Sequence, residues 1–265
     1  MKQAIKALAQ KILPAPVYAQ LAAMSARRWI EKVERDRGLD VLTRRYVAQH
    51  GRTVAGGPFA GMIYSPLADH RHVGARLLGS YEKEIAPAVE SLCQISYHQV
   101  IDVGCAEGYY AVGLARRIPN AHVIAFDTDP WARRACRELA KLNGVSDRVA
   151  VRGFCSTAAL QAQLRGEHTL LVLDCEGYET VLLNPDQIPQ LRQCDLIVEL
   201  HDAPPASGHP LVERLRDTHT VELFAGIPRT PADTIALEHI TVNEQLQMMD
   251  EMRQAWQGWA VFRSK

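Results

Sequence analysis

Acids and one histidine gather at the ends of apolar stretches in this chain, where side chains can meet a ligand. Asp174 and Glu176 follow residues 170–173, and Glu199, His201 and Asp202 close residues 196–200. A histidine beside carboxylates can take a proton from an acceptor hydroxyl. The same oxygens, from Asp174, Glu199 or Asp202, could hold Mg²⁺ instead. Two more acids stand beside small residues. Asp102 precedes Gly104-Cys105-Ala106-Glu107-Gly108-Tyr109, and Asp127 closes residues 122–126.

An apolar strand, a turn of small residues and a helix over 109–117 bring backbone N–H groups up against a ligand. A dinucleotide turn wants a third glycine for its pyrophosphate, and Tyr109 occupies that place. Asp127, about 20 residues on, is placed to accept both hydroxyls of a ribose. A turn not built for pyrophosphate, together with a ribose acid, suits S-adenosylmethionine (SAM) better than NAD. The expected cofactor contacts are Asp102, Gly104, Cys105, Ala106, Gly108, Tyr109, Asp127, Thr128, Cys155 and Asp174. The expected catalytic residues are His201 as general base, with Asp174 and Glu176. No metal ligand set is assigned, because the six cysteines show no C-x-x-C pair and their spacing gives no thiolate site.

The elements that must position these residues alternate strand and helix. Strands are expected at 100–103, 122–126, 148–151, 170–173 and 196–200, all continuous apolar runs suited to a parallel sheet covered on both faces. In such a sheet, ligands bind outside the carboxyl ends of the strands, where every acid named above falls. Asp129 should cap the helix after Asp127, with Pro130 in its first turn, Ala132, Ala135, Cys136 and Leu139 as its buried stripe, and Gly144 at its end. Arg133, Arg134 and Arg137 read as solvated charges on that helix. Before the first strand, Ser80 is a candidate N-cap, and Tyr81 and Glu82 are candidate cofactor contacts. Residues 54–64 read as a loop running into a short strand. After the fifth strand come a loop over 202–210, a helix at 211–218, a strand at 220–224, a helical insertion over 232–256 and a closing strand at 259–263.

At 265 residues the chain can bury a full core. Three parts are expected: a helical extension over 1–50, a lead-in over 51–96 and an α/β domain over 97–265. The extension is broken at Pro14 and Pro16 and again at Gly38. Net charge is zero, so no global basic field calls for nucleic acid. Residues 1–50 nevertheless hold ten bases and four acids, a surplus that suits a solvated helical face, a peripheral membrane contact or a partner. No apolar run approaches the roughly 18 residues of a membrane span. Unpaired cysteines suit reduced thiols and the cytoplasm. A homodimer is compatible with the sequence.

These residues carry a family likeness. Asp-Val-Gly-x-x-x-Gly-Tyr-Tyr at 102–110 resembles motif I of the FkbM-type SAM-dependent methyltransferases. Ala-Phe-Asp-Thr-Asp-Pro at 125–130 resembles that family's second-strand motif. Leu-Asp-Cys-Glu-Gly-Tyr-Glu at 173–179 is similar to its most distinctive signature, and Val-Glu-Leu-His at 198–201 to its fifth-strand ending. The likeness covers about residues 97–202. It implies an α/β, Rossmann-like, seven-stranded class I methyltransferase sheet with helices on both faces. It also implies SAM as cofactor and a small-molecule acceptor, often the hydroxyl of a sugar or natural product. Asp102, Gly104 and Gly108 would line the methionine half, Asp127 would bind the ribose, and Asp174, Glu176 and His201 would face the acceptor. The turn departs from the family in Cys105-Ala106-Glu107. The expected activity is O-methylation. The alternatives are N-methylation, a non-catalytic SAM-binding scaffold and, disfavoured by Tyr109, a nicotinamide oxidoreductase.

Overall fold

The computed structural model describes residues 12–68, 73–201, 208–234, 239–252 and 257–265. Asp202, the start of the first helical segment, and residues 235–238 and 253–256 of the insertion lie outside the described residues. In chain order the helices before the sheet are α1 (Ala15–Asp36), α2 (Leu39–His50), α3 (Val73–Leu78) and α4 (Ala86–Leu92). Strand and helix then alternate through β1 (Gln99–Val103), α5 (Tyr109–Arg117), β2 (His122–Phe126), α6 (Pro130–Leu142), β3 (Val149–Arg152) and α7 (Thr157–Gln163). They continue through β4 (Thr169–Leu173), α8 (Glu179–Leu182), β5 (Asp195–Leu200), α9 (Pro210–Leu215), β6 (His219–Ala225), α10 (Val242–Met249) and β7 (Gly258–Ser264).

The seven strands form one sheet in the order β3-β2-β1-β4-β5-β7-β6. The first five run parallel, and β7 runs antiparallel to both β5 and β6. Every residue of β1 and β4 is buried, as the continuous apolar runs require. Alternation along the strands divides that core between two faces. Val100, Val123, Val172 and Ile197 pack with Val112, Leu114 and Leu139 of α5 and α6. Ile101, Leu171, Leu173 and Val198 pack with Leu160, Leu182 and Leu215 of α7, α8 and α9. The lead-in joins the first face through Phe59, Met62, Tyr64 and Leu77, and α10 joins it through Met248 and Met249.

The strands fall within one or two residues of their sequence-based limits. The helix after Asp127 starts as expected, with the Asp129 carboxylate accepting from the Trp131 N–H at 2.9 Å. Gly144 follows its last turn at a φ of +67°. Three expectations are corrected. Ser80 caps no helix: the next one begins at Ala86 without a side-chain cap, and the buried Ser80 hydroxyl donates to the Ala75 carbonyl at 3.4 Å. Its approach to the preceding turn removes it from the helix end that its residue type suggests. The short strand before residue 64 is a single bridge, Thr53 to Ile63. Finally, Arg133 is more than a solvated charge, because its guanidinium donates to the carbonyls of Asp127 and Thr128, both at 2.9 Å.

The described residues of the basic extension are tied to the rest of the fold at several points. Arg27 donates to Asp129 at 2.8 Å, and the Thr128 hydroxyl donates to the Ala19 carbonyl at 3.3 Å. Arg37 and Arg45 pair with Asp250 and Glu244, at 2.7 and 2.6 Å. Among the described residues no helix is long and apolar enough to cross a membrane.

Candidate active site

The turn after β1 is shaped by what its backbone must avoid. Gly104 sits at a φ of +89°, and a β-carbon there would fall 1.7 Å from the Asp174 carbonyl oxygen at the end of β4. Gly108, at +101°, begins α5 so close to Cys136 that a β-carbon would meet its sulfur at 2.8 Å. Only glycine fits both the conformation and the space. Between them Ala106, at +47°, aims its N–H at the Asp127 carboxylate, 2.9 Å away. The other Asp127 oxygen accepts from the Asp129 N–H at 2.7 Å. Asp127 therefore locks the turn to the end of β2. A carboxylate offers about four acceptor positions, so backbone and ribose can share it.

Asp102 lies under this turn. It is buried, and its Oδ2 has no hydrogen-bond partner. Burial, reinforced by the charges of Asp174 and Asp127, raises its pKa well above the usual carboxylate range. Such an oxygen calls for a donor, and the ammonium of a bound methionine moiety would supply one. The bare backbone, the half-buried Asp127 and this orphaned oxygen all fit SAM.

The other expected contacts divide. Cys105 in the turn and Cys155 after β3 are buried thiols. The hydrogen bond with Cys136 and then burial push Cys105 up, and burial pushes Cys155 up to about 12. Both thiols are neutral at physiological pH. Thr128 turns its hydroxyl to α1. Tyr109 places its ring among Phe59, Tyr81 and Tyr110, with centroids 5.0 to 5.3 Å apart. Its side chain therefore anchors the lead-in. Tyr81 lies beneath the Arg76 guanidinium at 4.1 Å, and Glu82 accepts from the Tyr110 hydroxyl.

Two residues that sequence reasoning passed over hold this anchorage. Glu107 points away from the turn into a buried pair with Arg76 at 2.8 Å, their side chains 1% and 6% exposed. The Tyr64 hydroxyl also donates to Glu107. An arginine 31 positions upstream carries no local signal that would have revealed the pair.

On the other side of the turn, the expected acids and histidine come together. His201 Nε2 lies 3.2 Å from Glu199, 3.5 Å from Asp174 and 3.9 Å from Glu176. Its Nδ1 lies 3.3 Å from Glu179. Glu179, which the sequence reading left out of the candidate set, is only 2% exposed, and it also accepts the Cys175 N–H at 2.6 Å. The signal was present, since Glu179 closes the Asp-x-Glu-Gly-Tyr-Glu run. Burial would lower the pKa of His201, but hydrogen bonding to Glu179 and Glu199 and the charge of Asp174 push it up to about 11. Glu179 in turn sits below its usual range: burial opposes this, and His201 and the Cys175 N–H outweigh burial. Glu176, 83% exposed, forms the outer rim. The arrangement can hold positive charge tightly and present carboxylate oxygens to an acceptor.

Comparison with known proteins bears on the same half of the sheet. The family model described as ribosomal protein L11 methyltransferase (PrmA) matches residues 87–172. Over 85 residues the chain is 39% identical to the release factor glutamine methyltransferase of Deinococcus radiodurans, which is 32% of this chain and 28% of that relative. Among solved structures, precorrin-6y C5,15-methyltransferase from Geobacter metallireducens shares 12% identity, with 66% of this chain and 85% of that chain covered and a TM-score of 0.45. The O-methyltransferase TomG from Streptomyces achromogenes, in complex with SAM, shares 11%, with 68% and 80% covered and a TM-score of 0.42. The matched sequence spans less than a third of the Deinococcus protein, so the fold assignment rests on the strand order and the turn. With parallel strands in the order 3-2-1-4-5 and an antiparallel β7 between β5 and β6, the chain has the Rossmann-like, seven-stranded sheet of the class I methyltransferase fold.

Proposed function

We propose that this protein transfers a methyl group from SAM to an oxygen of a small-molecule acceptor, within the FkbM-type branch that its 173–179 signature resembles. One observation carries the choice of oxygen. The histidine and four carboxylates of the β4 and β5 ends adjoin the cofactor turn, as the contact of Gly104 with Asp174 requires. SAM supplies a methyl group already activated on sulfur. The chain has to align the acceptor, exclude water and handle a proton. An amine needs little help with its proton at neutral pH, whereas a hydroxyl with its high pKa does. Exposed Glu176 and partly exposed Asp174 can pass that proton outward, and His201, held by Glu179 and Glu199, fixes the carboxylates in place. At neutral pH His201 keeps its own proton, so the carboxylates and not the imidazole take the proton of the acceptor.

The test is a transfer assay with methyl-labelled SAM and a small-molecule extract, followed by mass analysis of labelled products. Label on a hydroxyl, lost in Asp127→Ala, is the expected result. Label confined to amines would overturn the oxygen assignment. SAM binding without turnover on any fraction would favour the scaffold alternative.

A further inference from the structure

We propose that Asp174, Glu179 and His201 form a binding site for one divalent first-row metal ion at the carboxyl ends of β4 and β5. One donor atom from each lies within 4.8 Å of the others. The three come from separate places, the end of β4, the first residue of α8 and the residue after β5, so the parallel pairing of β4 with β5 assembles the set. Donors about 2.0–2.2 Å from a metal stand roughly 3 Å apart when adjacent, and the 3.3 Å from His201 Nδ1 to Glu179 is close to that.

The second observation is the state of His201. Its side chain is nine-tenths buried, and both ring nitrogens face carboxylates of the cluster, Nδ1 at 3.3 Å from Glu179 and Nε2 at 3.5 Å from Asp174. Nε2 is 3.2 Å from Glu199. A metal-binding histidine commonly gives its second N–H to a carboxylate and coordinates through the other nitrogen, so an ion here displaces one of the two protons that the carboxylates hold on the ring. The Cys175 N–H donated to Glu179 orients that carboxylate in the same way.

The donor set indicates the class of ion. Carboxylates suit Mg²⁺, Ca²⁺ and Mn²⁺, whereas imidazole suits later first-row metals. Two carboxylates with one imidazole therefore favour Mn²⁺ or its neighbours over Mg²⁺. The site lies on the acceptor side of the cofactor turn, because Gly104 packs against Asp174. Its use in catalysis rests on the methyltransferase reading, and the binding itself does not.

The test uses the full chain after chelator treatment. Mn²⁺ binding is followed by loss of the free-ion electron paramagnetic resonance signal, and SAM binding by calorimetry on the same samples. One Mn²⁺ per chain is expected, with Mg²⁺ a weak competitor. Glu179→Gln and Asp174→Asn should weaken Mn²⁺ by at least the roughly 10–100-fold that loss of an outer-shell partner costs. Asp174 is one-third exposed, so its variant keeps the test open if Glu179→Gln fails to fold. No Mn²⁺ binding, or equal binding by the variants, overturns the metal site. If SAM still binds in that case, the methyltransferase reading stands. Mn²⁺ bound by these residues in a chain that ignores SAM upholds the site and removes the reading.

Discussion

Replacing Gly104 with alanine should separate backbone strain from collision at the cofactor turn. A left-handed conformation costs a residue with a β-carbon about 1–2 kcal/mol. At Gly104 that carbon would also lie 1.7 Å from the Asp174 oxygen, where real contacts stay beyond 3.0 Å, so the end of β4 must retreat by 1.3 Å, the difference. Forcing extra volume into a packed site costs about 1–3 kcal/mol. The retreat also strains the hydrogen bond from the Asp174 N–H to the Val103 carbonyl, now 3.0 Å. Together these give about 2–5 kcal/mol, or a Tm lower by roughly 5–15 °C for a chain of this size. Gly144 is the matched control. Its φ is +67°, but nothing lies within 4 Å of a β-carbon there, so Gly144→Ala should lose only about 1–2 kcal/mol. Thermal unfolding by circular dichroism measures both variants, and calorimetry measures SAM binding. Gly104→Ala should bind SAM poorly and Gly144→Ala normally. Equal Tm losses, or unimpaired SAM binding by Gly104→Ala, would refute the account of the turn.

The Arg76–Glu107 pair should be costly to break from one side. Arg76→Met leaves a buried carboxylate beside Tyr64 and should lower stability by about 3–5 kcal/mol, while Arg76→Met combined with Glu107→Gln should recover part of it in denaturant melts; no recovery would mean the two charges do not compensate each other. In chelator-treated protein, a nuclear magnetic resonance titration of His201 should show a midpoint far above 6.5, near the value of about 11 that its carboxylates impose. The ring's contribution to stability is then complete below pH 6.5, shrinks between 6.5 and 11, and is gone above that range. A midpoint near 6.5 would contradict the ion-pair geometry around Glu179 and Glu199.

What could be read from the sequence depended on how local its cause was. Strands β1, β2, β4 and β5 announced themselves because both faces are covered, which makes each a continuous apolar run. The cap at Asp129 and the bend at Gly108 follow from neighbours a few residues away. The Asp-x-Glu-Gly-Tyr-Glu run contains Glu179, but its part depends on His201, which follows β5 and is distant in sequence. Arg133 reads as a surface base on a helix, and only the closeness of the β2 end to α6 turns it toward the Asp127 and Thr128 carbonyls. The sequence places Tyr109 where a dinucleotide turn has its third glycine, and only the fold shows the lead-in supplying Phe59 and Tyr81 around its ring. Serine at position 80 suggests a cap, and the fold places it instead in a buried turn.

The position of β7 bears on how the chain survives its own folding. Gly258–Ser264 follows β6 in the chain but lies between β5 and β6 in the sheet. Until those residues arrive, β5 has backbone groups open along one side, and its residues Leu196, Ile197, Val198 and Leu200 are all apolar. An exposed hydrophobic edge of this kind pairs readily with another molecule. β6 meanwhile lacks the strand that joins it to the sheet. A polypeptide ending before residue 258 therefore loses more than one strand: it carries a sticky β5 edge and an unattached β6, and its expected fate is aggregation rather than a slightly weakened fold.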